Sequence, residues 1–77
     1  MPDAETTIFH TIEVLVRRRQ DADVVVTLDA DIYDDLELDS LEVAELSAVL
    51  EDALGKDPYS EGIVPRTVGE VVEFYRV

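Results

Sequence analysis

The chain has 77 residues, 47 % of them hydrophobic, with nineteen Asp and Glu against six Lys and Arg and a formal net charge of −13. That is one small domain with little core to spare, and few Pro and Gly beside this apolar content predict a folded chain. There is no cysteine, which excludes a disulfide scaffold and a thiolate zinc site. No apolar run reaches the length of a membrane span, and Met-Pro-Asp-Ala-Glu has neither the charge nor the following apolar stretch of a signal peptide. A soluble, cytoplasmic protein is expected.

The charge is unevenly placed. Residues 1–20 carry three acids (Asp3, Glu5, Glu13) and three bases (Arg17, Arg18, Arg19), and residues 63–77 carry two of each (Glu70, Glu73, Arg66, Arg76), so both ends are neutral. Residues 21–62 carry fourteen acids and only Lys56. A field of that sign repels nucleic acid and anionic membrane, and it speeds encounter with partners that bear basic patches.

Residues 1–6 read as a frayed terminus. From Thr7, the apolar residues Ile8, Ile12, Leu15 and Val16 recur on one face of an amphipathic helix. Phe9 widens the stripe, and the arginine triplet falls in the last turn, where cations suit the helix dipole. His10 lies beside the stripe with no companion ligand and reads as a surface or boundary residue. In residues 20–39, Val24, Val25 and Val26 have local strand character, but no second strand candidate exists to take their hydrogen bonds. The reading is a long ordered loop, tacked to the core by some of Val24, Val26, Leu28, Ile32 and Leu36. Loops of this length are usually functional.

The second helix is predicted to open at Asp39 or Ser40, with Asp39 as N-cap and Glu42 completing a capping box. Val43, Leu46, Leu50, Ala53 and Leu54 form its buried stripe, and Leu41, Ala44 and Ala48 lie along one edge. Glu42, Glu45 and Asp52 fall on the opposite, solvated face, with Val49 between them. Gly55 ends the helix as a C-cap. The turn-rich Asp57-Pro58-Tyr59-Ser60-Glu61-Gly62 predicts a one-turn helix around Tyr59 to Gly62. Thr67-Val68-Gly69-Glu70 reads as a capping box opening the last helix, whose stripe is Val68, Val71, Val72 and Tyr75. Such helices can bury their stripes only against each other. The predicted fold is therefore all-α: a small helical bundle of three main helices plus one short helix, with a long first loop, in a single domain over residues 1–77.

The stretch Asp34-Asp35-Leu36-Glu37-Leu38-Asp39-Ser40-Leu41 carries the chemistry. Leu36, Leu38 and Leu41 are apolar anchors expected to pin the loop to the core, leaving Ser40 at a fixed, exposed helix start in a negative setting. A lone serine lacks the adjacent base or lowered pKa that a nucleophile needs, but it is well placed to be modified by another enzyme. The plainer alternative is an ordinary helix-start serine. Asp29, Asp31, Asp34 and Asp35 have part of the spacing of a calcium loop. The sixth position from Asp29 is Asp34 instead of the turn glycine, however, and the twelfth is Ser40 instead of a bidentate Glu. No dedicated metal site is expected. A Ser40–His10 dyad lacks any sign of an oxyanion hole or deep pocket, so no catalytic residue is assigned.

Asp34 to Glu42 resembles the attachment motif of acyl carrier proteins, in which a D-S-L tripeptide follows a D-L-G-x segment and opens the second helix. The resemblance runs from about residue 7 to residue 76. It includes the helix order, the long first loop with Asp29-Ala30-Asp31-Ile32-Tyr33, the acidic second helix and the Thr-Val-Gly-Glu start of the last helix. It implies that Ser40 receives a 4′-phosphopantetheine group from coenzyme A through a separate phosphopantetheinyl transferase, with Asp39 helping to present it. The thiol of that arm would hold acyl or aminoacyl groups as thioesters, in a protein that is itself non-catalytic. Leu41, Glu42, Glu45 and Asp52, with Asp35 and Glu37 in the loop, would form the partner-binding face. Implied partners are the transferase, an acyltransferase or adenylating loading enzyme, and ketosynthase-type enzymes with basic docking patches. The carrier would be monomeric, with no nucleic acid or membrane partner.

Position 37 departs from the family pattern, with Glu where Gly is usual. Together with the Asp57–Gly62 loop and Pro65-Arg66, this points to a free-standing carrier of a polyketide or related secondary pathway rather than the housekeeping fatty-acid type. The competing class of function is an unmodified acidic helical interaction module with weak calcium binding.

Overall fold

The computed structural model describes residues 3–18 and 25–76. Helix α1 spans Ala4–Arg18 and so begins three residues before the periodicity predicts. Asp3 supplies the cap that this start requires: its carboxylate accepts from the Thr6 backbone N–H at 2.8 Å, a bond that also holds its carboxyl below the usual carboxylate range. Residues Ala4 to Thr6 are therefore helix rather than frayed terminus. Ile8, Ile12, Leu15 and Val16 form the buried face, and Arg17 and Arg18 lie in the last turn. Arg19 and Val24 lie outside the described residues.

Helix α2 spans Ser40–Leu54 and ends at Gly55, whose φ of 83° is the left-handed conformation that a glycine C-cap provides. Its fully buried residues are Leu46 and Leu50 only, with Val43 and Leu54 packed beside them. Ala53 is exposed, against the prediction. The physical reason is that α1 is the long helix packed along α2, and a single neighbour covers a narrow stripe. A 3₁₀ turn, Tyr59–Glu61, follows as predicted and is closed by Gly62.

Helix α3 spans Val68–Phe74 and buries Val68, Val71 and Val72 against α1. Thr67 caps it by accepting from the Glu70 N–H at 3.1 Å. The reciprocal half of the predicted capping box is displaced by one residue: the Glu70 carboxylate accepts from the N–H of Arg66 at 2.9 Å. The core is one cluster drawn from all three helices and from the first loop, which contributes Ala30, Ile32, Leu36 and Leu38. The expected all-α, acyl-carrier-like bundle is what these elements build.

The first loop is held at residues 28–32 by the segment that leads into α3. Asp31 and Thr67 form an isolated antiparallel bridge. Ile32 N–H donates to the Arg66 carbonyl at 2.8 Å, Val68 N–H to the Ala30 carbonyl at 3.1 Å and Gly69 N–H to the Leu28 carbonyl at 2.8 Å. Gly69 eases this approach: a Cβ at this position would meet the Leu28 carbonyl oxygen at a tight 3.0 Å. Val25 stays exposed, Val26 packs against the core, and Leu28 is less buried than expected of an anchor.

Candidate functional site

The first turn of α2 gathers the predicted site. Asp39 is the N-cap in extended conformation. Its Oδ1 accepts from the Glu42 N–H at 2.8 Å, and Glu42 Oε1 accepts from the Asp39 N–H at 3.1 Å. This reciprocal box satisfies helix-start donors that serine often serves. Ser40 is consequently spared that task. It is the first residue of the helix, it is exposed, and among the described residues no hydrogen bond engages its hydroxyl.

The approach to Ser40 is rigid. Leu36 and Leu38 are buried anchors, as predicted, whereas Leu41 is 69 % exposed. The first helical turn directs Leu41 away from the core, so it pins nothing and stands beside Ser40 as an exposed apolar contact. Between the two anchors Glu37 has φ 54°, the left-handed region that costs a side-chain-bearing residue about 1 kcal/mol or more. The chain thus keeps at position 37 the backbone shape that glycine would adopt freely, with a glutamate in its place.

The acids of the loop before the site are engaged with the chain itself. Asp31 Oδ1 accepts from the N–H groups of Tyr33 and Asp34, both at 2.8 Å, and Asp35 Oδ2 accepts from the Asp31 N–H at 2.7 Å. Arg66 completes the clamp, donating from Nε to Asp31 Oδ2 at 2.8 Å and from Nη2 to Asp34 Oδ2 at 2.9 Å. The Asp31 carboxyl lies below its usual range, chiefly through the Asp34 backbone bond, opposed by burial and helped by Tyr33 and Arg66. Among the described residues no three His, Asp or Glu side chains are grouped as metal ligands. The candidate calcium loop is thereby explained as an Asx-type turn with an arginine clamp.

Along α2 the remaining predicted residues separate into two kinds. Glu42 is half-buried and holds the cap, and Glu45 is half-buried and paired with Arg18 of α1 at 2.7 Å. Asp52 and Glu37 are exposed. His10 is also exposed, on α1.

At the other end of α2 lies a network that sequence reasoning missed. Asp57 is 1 % exposed. Its Oδ1 accepts from the Ser47 hydroxyl at 2.7 Å and from the Ser60 N–H at 3.0 Å, and its Oδ2 accepts from the Ser60 hydroxyl at 2.7 Å. Burial pushes this carboxyl up, but the bonds from Ser47 and Ser60 outweigh it and hold the group below the usual range. Asp57 followed by Ser60 is an Asx-turn spacing, a signal present in the sequence; the contribution of Ser47 from α2 has no local signature. Tyr75 closes the same corner, donating from its hydroxyl to the Lys56 carbonyl at 2.7 Å. Burial, aided by Asp57 and Glu61, pushes its pKa up to about 12.

Residues 11–74 match the family model described as a phosphopantetheine attachment site. The chain belongs to that family, whose covalent cofactor is 4′-phosphopantetheine. No solved structure is a significant match to the chain. Among the described residues no helix is long and apolar enough to cross a membrane. The first turn of α2 fits the cofactor on chemical grounds: among the described residues it offers an exposed, unengaged hydroxyl at a helix N-terminus, where the dipole favours an added phosphoryl charge.

Proposed function

We propose that Ser40 carries the 4′-phosphopantetheine arm, and that residues 1–77 act as one non-catalytic carrier domain that delivers thioester-bound acyl or aminoacyl groups to biosynthetic enzymes. The observation that carries this reading is the division of labour at the start of α2: Asp39 and Glu42 cap the helix, and the Ser40 hydroxyl is left exposed. When bound, the arm supplies a thiol for thioester chemistry, so the protein needs no reactive group of its own.

The contribution of the chain is positional. Ser40 offers its oxygen at a fixed point, held on one side by the buried anchors Leu36 and Leu38 and on the other by the capped helix. Among the described residues no basic side chain touches the hydroxyl, so the base that removes its proton belongs to the phosphopantetheinyl transferase. Asp39, which fixes the turn, is the residue that presents Ser40. Leu41, Glu45 and Asp52, with Glu42, Asp35 and Glu37 supplying further negative potential, form the partner face. Acids of this density favour fast, weak association with basic patches on the transferase, a loading acyltransferase or adenylating enzyme, and ketosynthase-type enzymes.

The pathway assigned is polyketide or related secondary metabolism, in the cytoplasm, with the carrier acting as a monomer. Glu37 in place of glycine and the divergent Asp57–Gly62 loop support that choice. Incubation of the apo protein with coenzyme A and a broad-specificity transferase, read by intact mass, tests the carrier reading. One added phosphopantetheine is expected on the wild type and none on Ser40→Ala. An unmodified wild type, under conditions that modify a control carrier, refutes the reading.

A further inference from the structure

The acidic face of α2 is not uniformly open. Glu45 Oε2 accepts from Arg18 Nη1 at 2.7 Å, which ties the middle of α2 to the last turn of α1. Both side chains remain largely accessible, at 60 % for Arg18 and 41 % for Glu45. One turn away along each helix stand Val14 and Val49, exposed at 37 % and 43 %. These four residues, with His10 and Leu15, line an open groove of about 210 Å³ between the helices. The groove therefore has an apolar wall, a carboxylate at one end, and an arginine already seated on that carboxylate.

A row of side chains connects this groove to the modification site. Leu41, Glu45 and Val49 are spaced by four residues, so they lie along one side of α2, and Glu45 is only about 7–8 Å along the axis from Ser40. An enzyme that acts on the Ser40 hydroxyl must cover the first turns of α2, and its footprint reaches Glu45. Residues 21–62 carry fourteen acids and one base, so the enzyme surface that seats there is cationic.

We propose that Arg18 occupies, in the free protein, the seat that an arginine of the phosphopantetheinyl transferase takes in the complex, which makes Arg18 a specificity-determining residue and the α1–α2 groove an extension of the docking face. This rests on the carrier reading above and adds the partner's chemistry. A guanidinium matches a carboxylate in a fixed fork, while its aliphatic stem can lie along Val14 and Val49. Exchange of one arginine for another is inexpensive, because both members of the internal pair are largely accessible and water screens their attraction. The internal pair also acts against wrong partners: a weak cation does not displace Arg18, and Glu45 then stays masked.

The test measures kcat/KM for transfer of phosphopantetheine from coenzyme A by a broad-specificity transferase. It compares wild type, Arg18→Ala, Arg18→Gln, Arg17→Ala, Glu45→Gln and the Arg18→Ala/Glu45→Gln double variant, each checked by thermal melt to be folded. Arg17 is a neighbouring exposed arginine and controls for the change in net charge. Both Arg18 variants are expected to raise kcat/KM about two- to five-fold at low salt. The gain should come through KM, shrink at high salt, exceed that of Arg17→Ala, and fall to the Arg17→Ala level when Glu45 is Gln. Glu45→Gln alone should lower kcat/KM. A gain no larger than that of Arg17→Ala, a gain that survives loss of Glu45, no effect of Glu45→Gln, or a fall in Arg18→Ala overturns the proposal. A wild type that accepts no phosphopantetheine overturns instead the carrier reading on which it rests.

Discussion

The two ends of helix α2 use the same residue types for opposite purposes. At the C-terminal end, Ser47 and Ser60 both donate their hydroxyls to Asp57, which is shut away from solvent. At the N-terminal end, Asp39 is exposed and its carboxylate accepts from the Glu42 N–H, and among the described residues the neighbouring serine hydroxyl is unengaged. The difference is one of burial. A buried carboxylate must collect donors or pay for its desolvation, so at the Asp57 corner the Ser47 and Ser60 hydroxyls are both recruited into the fold. An exposed carboxylate can be satisfied by one helix N–H and water, and the serine next to it remains accessible to an enzyme.

The sharpest way to break this contrast is to remove each end in turn. Ser40→Ala is expected to abolish phosphopantetheinylation completely while changing unfolding free energy by no more than about 0.5 kcal/mol, because the site is exposed and no hydrogen bond among the described residues engages the hydroxyl. Intact mass and urea unfolding on one preparation check both halves. Asp57→Ala should do the reverse. It leaves the Ser47 and Ser60 donors without their acceptor and is expected to cost about 2–4 kcal/mol, while the protein that remains folded is still modified at Ser40.

The pH dependence of the Asp57 corner follows from the sign of its shift. Its folded carboxyl lies below the ordinary value, so the stability it contributes is fully present above its unfolded pKa of about 3.9 and is lost as the pH falls through the lower, folded value. The gap in unfolding free energy between wild type and Asp57→Asn should thus be widest near neutrality and narrow below about pH 4. A gap that widens on acidification would contradict the hydrogen-bonded, ionised Asp57 described here.

Two smaller effects sharpen the picture of the N-terminal end. Gly69→Ala places a methyl against the Leu28 carbonyl and is expected to cost about 1–3 kcal/mol. It should also slow modification of Ser40, because the loop seated on α3 leads directly to the site. Glu37→Gly relieves the left-handed strain at the cost of added unfolded-state entropy, so a gain of about 1 kcal/mol or less is expected. Thermal or urea unfolding of each variant reads both, and a loss of stability in Glu37→Gly would mean that the Glu37 side chain contributes more than its backbone costs.

Much of this molecule could be read from sequence, because its signals are local. The apolar periods of α1 and α3, the Asp39–Glu42 box, the Gly55 cap and the turn at Tyr59 each depend on residues within one or two turns. The placement of Ser40 at a helix start followed from the same local reading. What escaped was long-range. The Arg18–Glu45 pair joins residues 27 apart and the Arg66–Asp31 pair residues 35 apart, and neither leaves a pattern in the chain. The calcium-like spacing of Asp31, Asp34 and Asp35, a poor match to a calcium loop in the sequence, does not state what these oxygens face instead, and the structure gives them backbone N–H groups and Arg66. Leu41 was misread as an anchor because apolar character alone does not say which way the first turn of a helix points.

The most direct test of the account is to find where the arm is attached. Peptide mass mapping of the protein after transfer from coenzyme A distinguishes Ser40 from Ser47 and Ser60, the other serines of the described residues. The account predicts phosphopantetheine on the peptide containing Ser40 and none on the other two, whose hydroxyls are held by Asp57. Attachment at Ser47 or Ser60, or retention of the arm in Ser40→Ala, would contradict it.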